Sequence, residues 1–196
     1  MEKPNILTSE IVYRGFFDVQ QDLLERADRK KLPYTHFVLP NDAAVILAET
    51  SDGRLILNRE YRHPTTRYIL GCPGGTLNPE EDPLEGGRRE LFEESGYISD
   101  DISLLGIAYP FPSLCNQKIY YVLAKNARFQ GPPPLEPFEY IHTELKTEKE
   151  IQAAISAGEI VDGLLLTALS FRTMNIGFSK KNSKRSLQAR PRKRRR

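Results

Sequence analysis

The stretch from Gly75 to Tyr97, GTLNPEEDPLEGGRRELFEESGY, constrains this chain more than any other. Asp82-Pro83 reads as an N-cap followed by a first helical residue, since proline has no N–H to lose there and its fixed φ suits the first turn. Gly96 reads as the helix stop. Between them Glu90, Glu93 and Glu94 stand at i, i+3 and i+4 and share one helix face. They crowd the last turn, where the helix dipole already concentrates negative charge, and each like-charge pair at this spacing costs roughly 0.2–0.5 kcal/mol. Glu85–Arg89 and Arg89–Glu93 are i,i+4 pairs of opposite sign, expected to hold Arg89 and orient Glu93. That leaves Glu90 and Glu94 with no cationic neighbour in the helix. A hard divalent cation such as Mg²⁺ takes carboxylate oxygens and turns the repulsion into attraction; a solvated acidic face is the alternative. Gly86-Gly87 weakens the helix by about 2 kcal/mol relative to alanine, which predicts close approach of another backbone. Leu84, Leu91 and Tyr97 supply a thin apolar face for docking on a sheet.

The segments around this helix read mostly as strands. EIVYRGFFDVQ mixes aromatic and β-branched residues with polar ones, then runs into the charged DLLERADRKK. THFVL, AAVILAE and RLILNRE follow, and Asp52-Gly53 between the last two is a hairpin signal. After the helix come SLLGIAY and KIYYVLAKN, joined by the loop YPFPSLCNQ, and then the Pro-rich loop QGPPPLEP, which cannot be helix or central strand. FEYIHTEL returns to strand character. TEKEIQAAISAG and DGLLLTALSFRTM are helical, the first closed by Gly158. Strands on both sides of one central helix, with helices at the end, predict a mixed sheet covered by helices on both faces.

With 196 residues, 39% of them hydrophobic, one globular domain is expected. Cys72 and Cys115 fit no metal-ligand spacing, and two cysteines make no disulfide framework, so a reducing compartment is expected. No apolar run approaches the roughly 18 residues of a membrane span, and MEKPNILTSE lacks the apolar core of a signal peptide. These features predict a soluble cytoplasmic protein without a membrane partner. Residues 163–196 carry 11 Lys/Arg and no acidic residue, leaving 17 basic against 26 acidic residues in 1–162. An acidic folded part speaks against a nucleic-acid-binding core. The tail ending ARPRKRRR reads as disordered from about residue 178, either as a solvated extension or as a contact to RNA or the ribosome.

Gly75, five residues, Glu81, seven residues, Arg89-Glu90-Leu91, one residue, Glu93-Glu94, one residue, Gly96-Tyr97 resembles the signature of the Nudix hydrolases at all its defined positions. The resemblance implies an α/β/α sandwich of the Nudix type, with a mixed β-sheet and an additional N-terminal antiparallel sheet. It implies cleavage of a nucleoside diphosphate linked to another group, assisted by Mg²⁺ with Mn²⁺ as a substitute. Glu90 and Glu94 resemble the main metal ligands, Glu93 a further ligand, and the carbonyl of Gly74 another. Glu81 and Arg89 resemble residues that brace the loop and helix.

Beyond the motif the chain is most similar to the ADP-ribose pyrophosphatase and nucleoside diphosphate sugar hydrolase subgroup, from about Ile11 to Phe171. Glu60-Tyr61-Arg62 takes the place of its strand-end Gln-Tyr/Phe-Arg, making Arg62 either a phosphate contact or an exposed strand-end arginine. Pro112 in YPFPSL is placed like a proline that meets substrate, or only shapes a loop. Glu136 resembles the mobile-loop glutamate that acts as ligand or general base, and is otherwise a solvated carboxylate; Glu139 is expected to face the other way. GEIVDGLLLTAL resembles the closing turn of the subgroup. Two departures stand out: Gly71 replaces a usual glutamate, and Gly86-Gly87 replaces small alanines.

The expected organisation is an N-terminal β region at 1–42, contributing to a homodimer interface, a hydrolase domain at 43–177 and the basic tail at 178–196. In the subgroup the N-terminal strands help build the partner's base pocket, so Tyr13, Phe16, Phe17, Tyr34 and Phe37 are candidates to stack on adenine or to form core. The expected substrate is ADP-ribose or a related nucleotide sugar. An RNA 5′-end pyrophosphohydrolase and a non-catalytic nucleotide-binding module are the alternatives.

Overall fold

The computed structural model describes residues 2–135 and 137–174. Three strands open the chain: β1 (Asn5–Tyr13), β2 (Asp18–Glu25) and β3 (Lys31–Val38), paired in that order as an antiparallel sheet. Residues 14–17, inside the stretch read from sequence as one strand, are instead the turn between β1 and β2. The charged run 22–25 is strand, because this sheet lies largely open to solvent and tolerates polar side chains on its surface.

The main sheet has eight strands: β4 (Ala43–Thr50), β5 (Leu55–Arg62), β6 (Arg67–Gly71), β7 (Gly74–Thr76), β8 (Tyr97–Ile98), β9 (Asp101–Ala108), β10 (Ile119–Phe129) and β11 (Ile141–Lys146). β4 and β10 run parallel; the other pairings are antiparallel. The Asp52-Gly53 hairpin joins β4 to β5, with Gly53 at φ +80°. β4 and β5 stay paired only at Ala48–Ile56 and Glu49–Leu55; past that point they splay apart, and β6 fills in on β5 while β7 fills in on β4. The splay brings the glycine-rich β7 into the sheet, a strand that propensity alone does not predict.

Side-chain alternation sets the layers. Ile46 and Ala48 of β4 face α1 (Pro83–Ser95), where they pack with Ile56, Leu91, Val122 and Ala124. Val45 and Leu47 face the opposite layer of α2 (Glu148–Ser156) and α3 (Gly163–Thr173), and pack with Leu55, Leu57, Tyr121, Ile151 and Leu165. Each fully buried Leu or Ile contributes about 1.5–3 kcal/mol, so both helical layers are anchored by the sheet between them. The architecture is the α/β/α sandwich with an N-terminal antiparallel sheet that the sequence predicts. Among the described residues no helix is long and apolar enough to cross a membrane.

Two local expectations change. The glycines of α1 make room for side chains rather than for a backbone. A Cβ on Gly86 would collide with Leu77, and one on Gly87 would lie 3.2 Å from Ile46 and 3.3 Å from Val122. The helix thus sits flush on the sheet, which is what the two glycines permit. The stretch 138–140 is not strand; β11 begins only at Ile141.

Candidate active site

The N-cap and stop of α1 are those read from sequence. The Asp82 carboxylate accepts the Leu84 N–H at 2.8 Å, Pro83 opens the first turn, and Gly96 at φ +73° donates to the Phe92 carbonyl. These ends fix which turn of α1 crosses β7. A Cβ on Gly75 would lie 2.6 Å from Glu90 Oε2, so glycine is what lets the Glu90 carboxylate lie against the strand. One turn further on, Glu94 Oε2 accepts the Gly74 N–H at 2.9 Å and the Asn58 Nδ2–H at 3.1 Å. Both glutamates are only 8% exposed, whereas the Glu93 side chain keeps 43% of its surface in solvent.

Arg89 is the hub of the remaining charges. Its Nε and Nη2 donate to the two oxygens of Glu81 at 2.9 and 3.0 Å, and its Nη1 donates to Glu90 Oε1 and Glu93 Oε2, both at 2.8 Å. Glu81 also accepts the Asn78 N–H at 2.7 Å, tying the loop before α1 to the helix. The Arg89–Glu93 pair is as expected, but Glu85 pairs with Arg88 at 3.5 Å instead of Arg89. Glu90 likewise has a cationic neighbour that simple helix spacing does not give it, because an i,i+1 contact becomes possible when a long guanidinium folds back toward β7.

Burial decides the electrostatics. The Arg89 bonds hold Glu81 down at about 2. Burial pushes Glu90 upward against the pull of Arg89. Glu94 is pushed up to about 8, chiefly by burial and then by the charges of Glu60 and Glu90, with the Gly74 N–H and Arg62 opposing. Two buried carboxylates whose ionised forms are disfavoured are what a hard divalent cation would stabilise. Among the described residues no three His, Cys, Asp or Glu side chains are gathered closely enough to cage a metal unaided; Arg89 sits among Glu81, Glu90 and Glu93 and draws their oxygens to itself. The donor set, all carboxylate oxygens beside a strand backbone, fits Mg²⁺ chemistry.

Arg62 and Glu60 stand on β5 on the same face as Asn58, and pair at 2.7 Å. Burial raises the Glu60 carboxyl, with Glu139 and Asp162 adding to it. Glu139 is close enough for its charge to bear on Glu60, and its segment is not strand; how it faces relative to Glu136 lies outside the described residues. Pro112 lines a cavity of about 270 Å³ with Asp22, Tyr34, His36 and Asn116, where the N-terminal sheet meets the loop after β9. Glu136 lies outside the described residues, as does the tail from residue 175. At Gly71 a Cβ would lie 3.4 Å from the Asp162 carboxylate, the N-cap of α3. Cys72 is half-buried, and desolvation raises its thiol far above the usual range, which makes it a poor nucleophile. Sequence reasoning passes over Asn58 and Thr143. The signal for Asn58 is a lone amide directly after the apolar run Leu55–Leu57; Thr143 gives none.

A mixed sheet between helical layers, with a helix laying glutamates on a glycine strand, is the arrangement that the Nudix resemblance implies. The NUDIX domain profile matches residues 39–162. The chain is 34% identical over 127 residues to the ADP compounds hydrolase NudE of Escherichia coli (strain K12), covering 64% of this chain and 68% of that one. It is 25% identical over 130 residues to the ADP-ribose pyrophosphatase of Bacillus subtilis (strain 168), covering 66% and 70%. A crystal structure of an ADP compounds hydrolase superposes with a TM-score of 0.80 at 27% identity, over 89% of this chain and 94% of that one. The chain belongs to the Nudix family of hydrolases and is by class a pyrophosphohydrolase.

Proposed function

We propose that this protein hydrolyses the pyrophosphate bond of ADP-ribose or a related nucleoside diphosphate sugar with the help of Mg²⁺, releasing a nucleoside monophosphate and a sugar phosphate. The observation that carries the reading is the pair of buried carboxylates, Glu90 and Glu94, laid against Gly74 and Gly75. The names of the relatives, an ADP compounds hydrolase and an ADP-ribose pyrophosphatase, support this substrate class.

Glu90, Glu93, Glu94 and the Gly74 carbonyl would hold the cation, and Mn²⁺ would substitute. The bound cation supplies charge neutralisation on the pyrophosphate and acidifies a water. Arg89, spanning Glu81, Glu90 and Glu93, keeps that turn of α1 and the preceding loop in register, and Glu90 and Glu93 would turn from it toward an arriving cation. Arg62, half-exposed beside Glu60, is suited to bind a phosphate oxygen. Glu136 would take a proton from the attacking water, by resemblance. Pro112 and Tyr34, with the cavity between them, suit the nucleotide end of the substrate.

Residues 1–42 serve a homodimer in this reading, and 43–177 carry the chemistry. The support is an N-terminal sheet without a core of its own. Leu24 pairs with Leu32, and Val19 with Phe37, on opposite faces of the sheet. Ile6, Val12, Leu32 and Phe16 stay largely exposed, Phe16 at 84%. A three-stranded sheet with apolar rows on both faces needs covering.

Purified protein with Mg²⁺ would be offered ADP-ribose, other nucleotide sugars, dinucleotides and 5′-triphosphorylated RNA, and the products separated by chromatography. Release of AMP and ribose 5-phosphate, or the matching pair from another nucleotide sugar, is expected. No turnover of any nucleotide sugar overturns the reading, and turnover of RNA alone moves the protein to the 5′-end-processing class.

A further inference from the structure

We propose that Asn58, locked by Thr143, is a positioning residue that fixes the Glu94 carboxylate for cation binding; the inference rests on the metal reading of Glu94 above. Asn58 on β5 and Thr143 on β11 are direct cross-strand partners, and both face α1. Asn58 is 2% exposed, at the end of an apolar run, and its carboxamide makes two side-chain bonds: Nδ2–H to Glu94 Oε2 at 3.1 Å, and Oδ1 from the Thr143 hydroxyl at 3.1 Å. An apolar side chain would suit these surroundings; the amide's use is in those two bonds.

The chain of donors has one consistent direction. A ligating carboxylate is ionised and only accepts, so the Asn58 amide must turn its Nδ2 toward Glu94. That leaves Oδ1, which also only accepts, toward β11, where Thr143 offers the hydroxyl that holds it. Thr143 thus selects the amide's orientation, and the amide selects the carboxylate's. Together with the Gly74 N–H, both protein bonds fall on Oε2 of Glu94. One oxygen is spent on positioning, and the other remains for a ligand. The network also ties β11, which follows the loop carrying Glu136, to the metal-binding turn of α1 through a single buried side chain. Residues that orient a metal ligand in this way change metal affinity by about 10–100-fold when removed.

The test uses the full chain with Mn²⁺ as probe, free Mn²⁺ being read by electron paramagnetic resonance, alongside steady-state turnover of ADP-ribose. Asn58→Leu is expected to weaken Mn²⁺ binding by about tenfold or more and to lower kcat while KM stays unchanged. Thr143→Val is expected to weaken binding severalfold, and Thr143→Ser, which keeps the hydroxyl, to restore it. Wild-type Mn²⁺ affinity in a folded Asn58→Leu protein overturns the inference. Equal affinities for Thr143→Val and Thr143→Ser do the same, and this pair decides if the leucine variant does not fold. A Glu94→Gln control separates the two levels. If it weakens Mn²⁺ binding while the Asn58 and Thr143 variants do not, the positioning role alone fails; if it does not, the metal reading fails as well.

Discussion

At the scale of single residues, the site is a contest between burial and charge. Glu94 has its carboxyl at about 8 in the folded chain against an ordinary 4.5. A group raised in this way holds its proton better when folded, so folding gains stability below the ordinary value and loses it as pH rises toward 8. The metal-free protein is therefore expected to melt at a lower temperature at pH 8 than at pH 6 in the presence of a chelator. The difference would correspond to about 2 kcal/mol. Glu94→Gln should remove most of that slope while lowering turnover about 100-fold or more. Identical melts at the two pH values for the wild-type chain would refute the electrostatic account. Glu81 acts in a different window: its stabilisation by Arg89 is present above the ordinary carboxylate range and is lost only as pH falls from about 4.5 toward 2. Arg89→Ala leaves three carboxylates without their shared partner. With the guanidinium partly exposed, the loss should be about 2 kcal/mol, a drop of about 5 °C in Tm. An unchanged melt would show the hub to be dispensable.

At the scale of the element, α1 works because its two ends and its sheet-facing side are all specified. The stop at Gly96 has the least latitude. Its φ of +73° disfavours any Cβ, and the Cβ would also run into the Gly131 backbone carbonyl. Gly96→Ala is thus expected to destabilise the protein by about 2 kcal/mol or more, beyond the usual left-handed penalty, as read by denaturant unfolding. A loss below about 0.5 kcal/mol would mean that the chain after α1 relaxes freely. Asp82→Ala should cost about 1 kcal/mol through its cap alone. These ends matter to function because they determine which turn of α1 meets β7, and hence which glutamates reach Gly74 and Gly75.

At the scale of the whole molecule, the two sheets differ in kind. The eight-stranded sheet is covered on both faces, while the N-terminal sheet touches the remainder mainly through the Phe37–Leu114, Leu39–Asn116 and Tyr34–Ser113 contacts. A dimer by sedimentation is the expected state, and Phe16→Glu combined with Leu32→Glu should shift it toward monomer and reduce turnover. A monomeric wild-type chain with full activity would remove the dimer from the functional account. Truncation after Phe178 is expected to leave nucleotide-sugar turnover unchanged, which the same substrate assay reads directly.

The sequence by itself determined α1 from cap to stop, the longer strands of the main sheet, and the clustering of Glu90, Glu93 and Glu94, because each depends on neighbours within a few residues. It also carried the family, since the spacing from Gly75 to Tyr97 is a local pattern. The choice among partners was decided by the tertiary structure. Arg89 turns from Glu85 to Glu81, Gly86 and Gly87 receive side chains rather than a backbone, Glu139 comes near Glu60, and Asn58 joins Thr143 to Glu94. Each of these depends on where β4 and β5 splay and on which strand fills the gap. That splay arises from packing between segments distant in the chain, and no local pattern of residues records it.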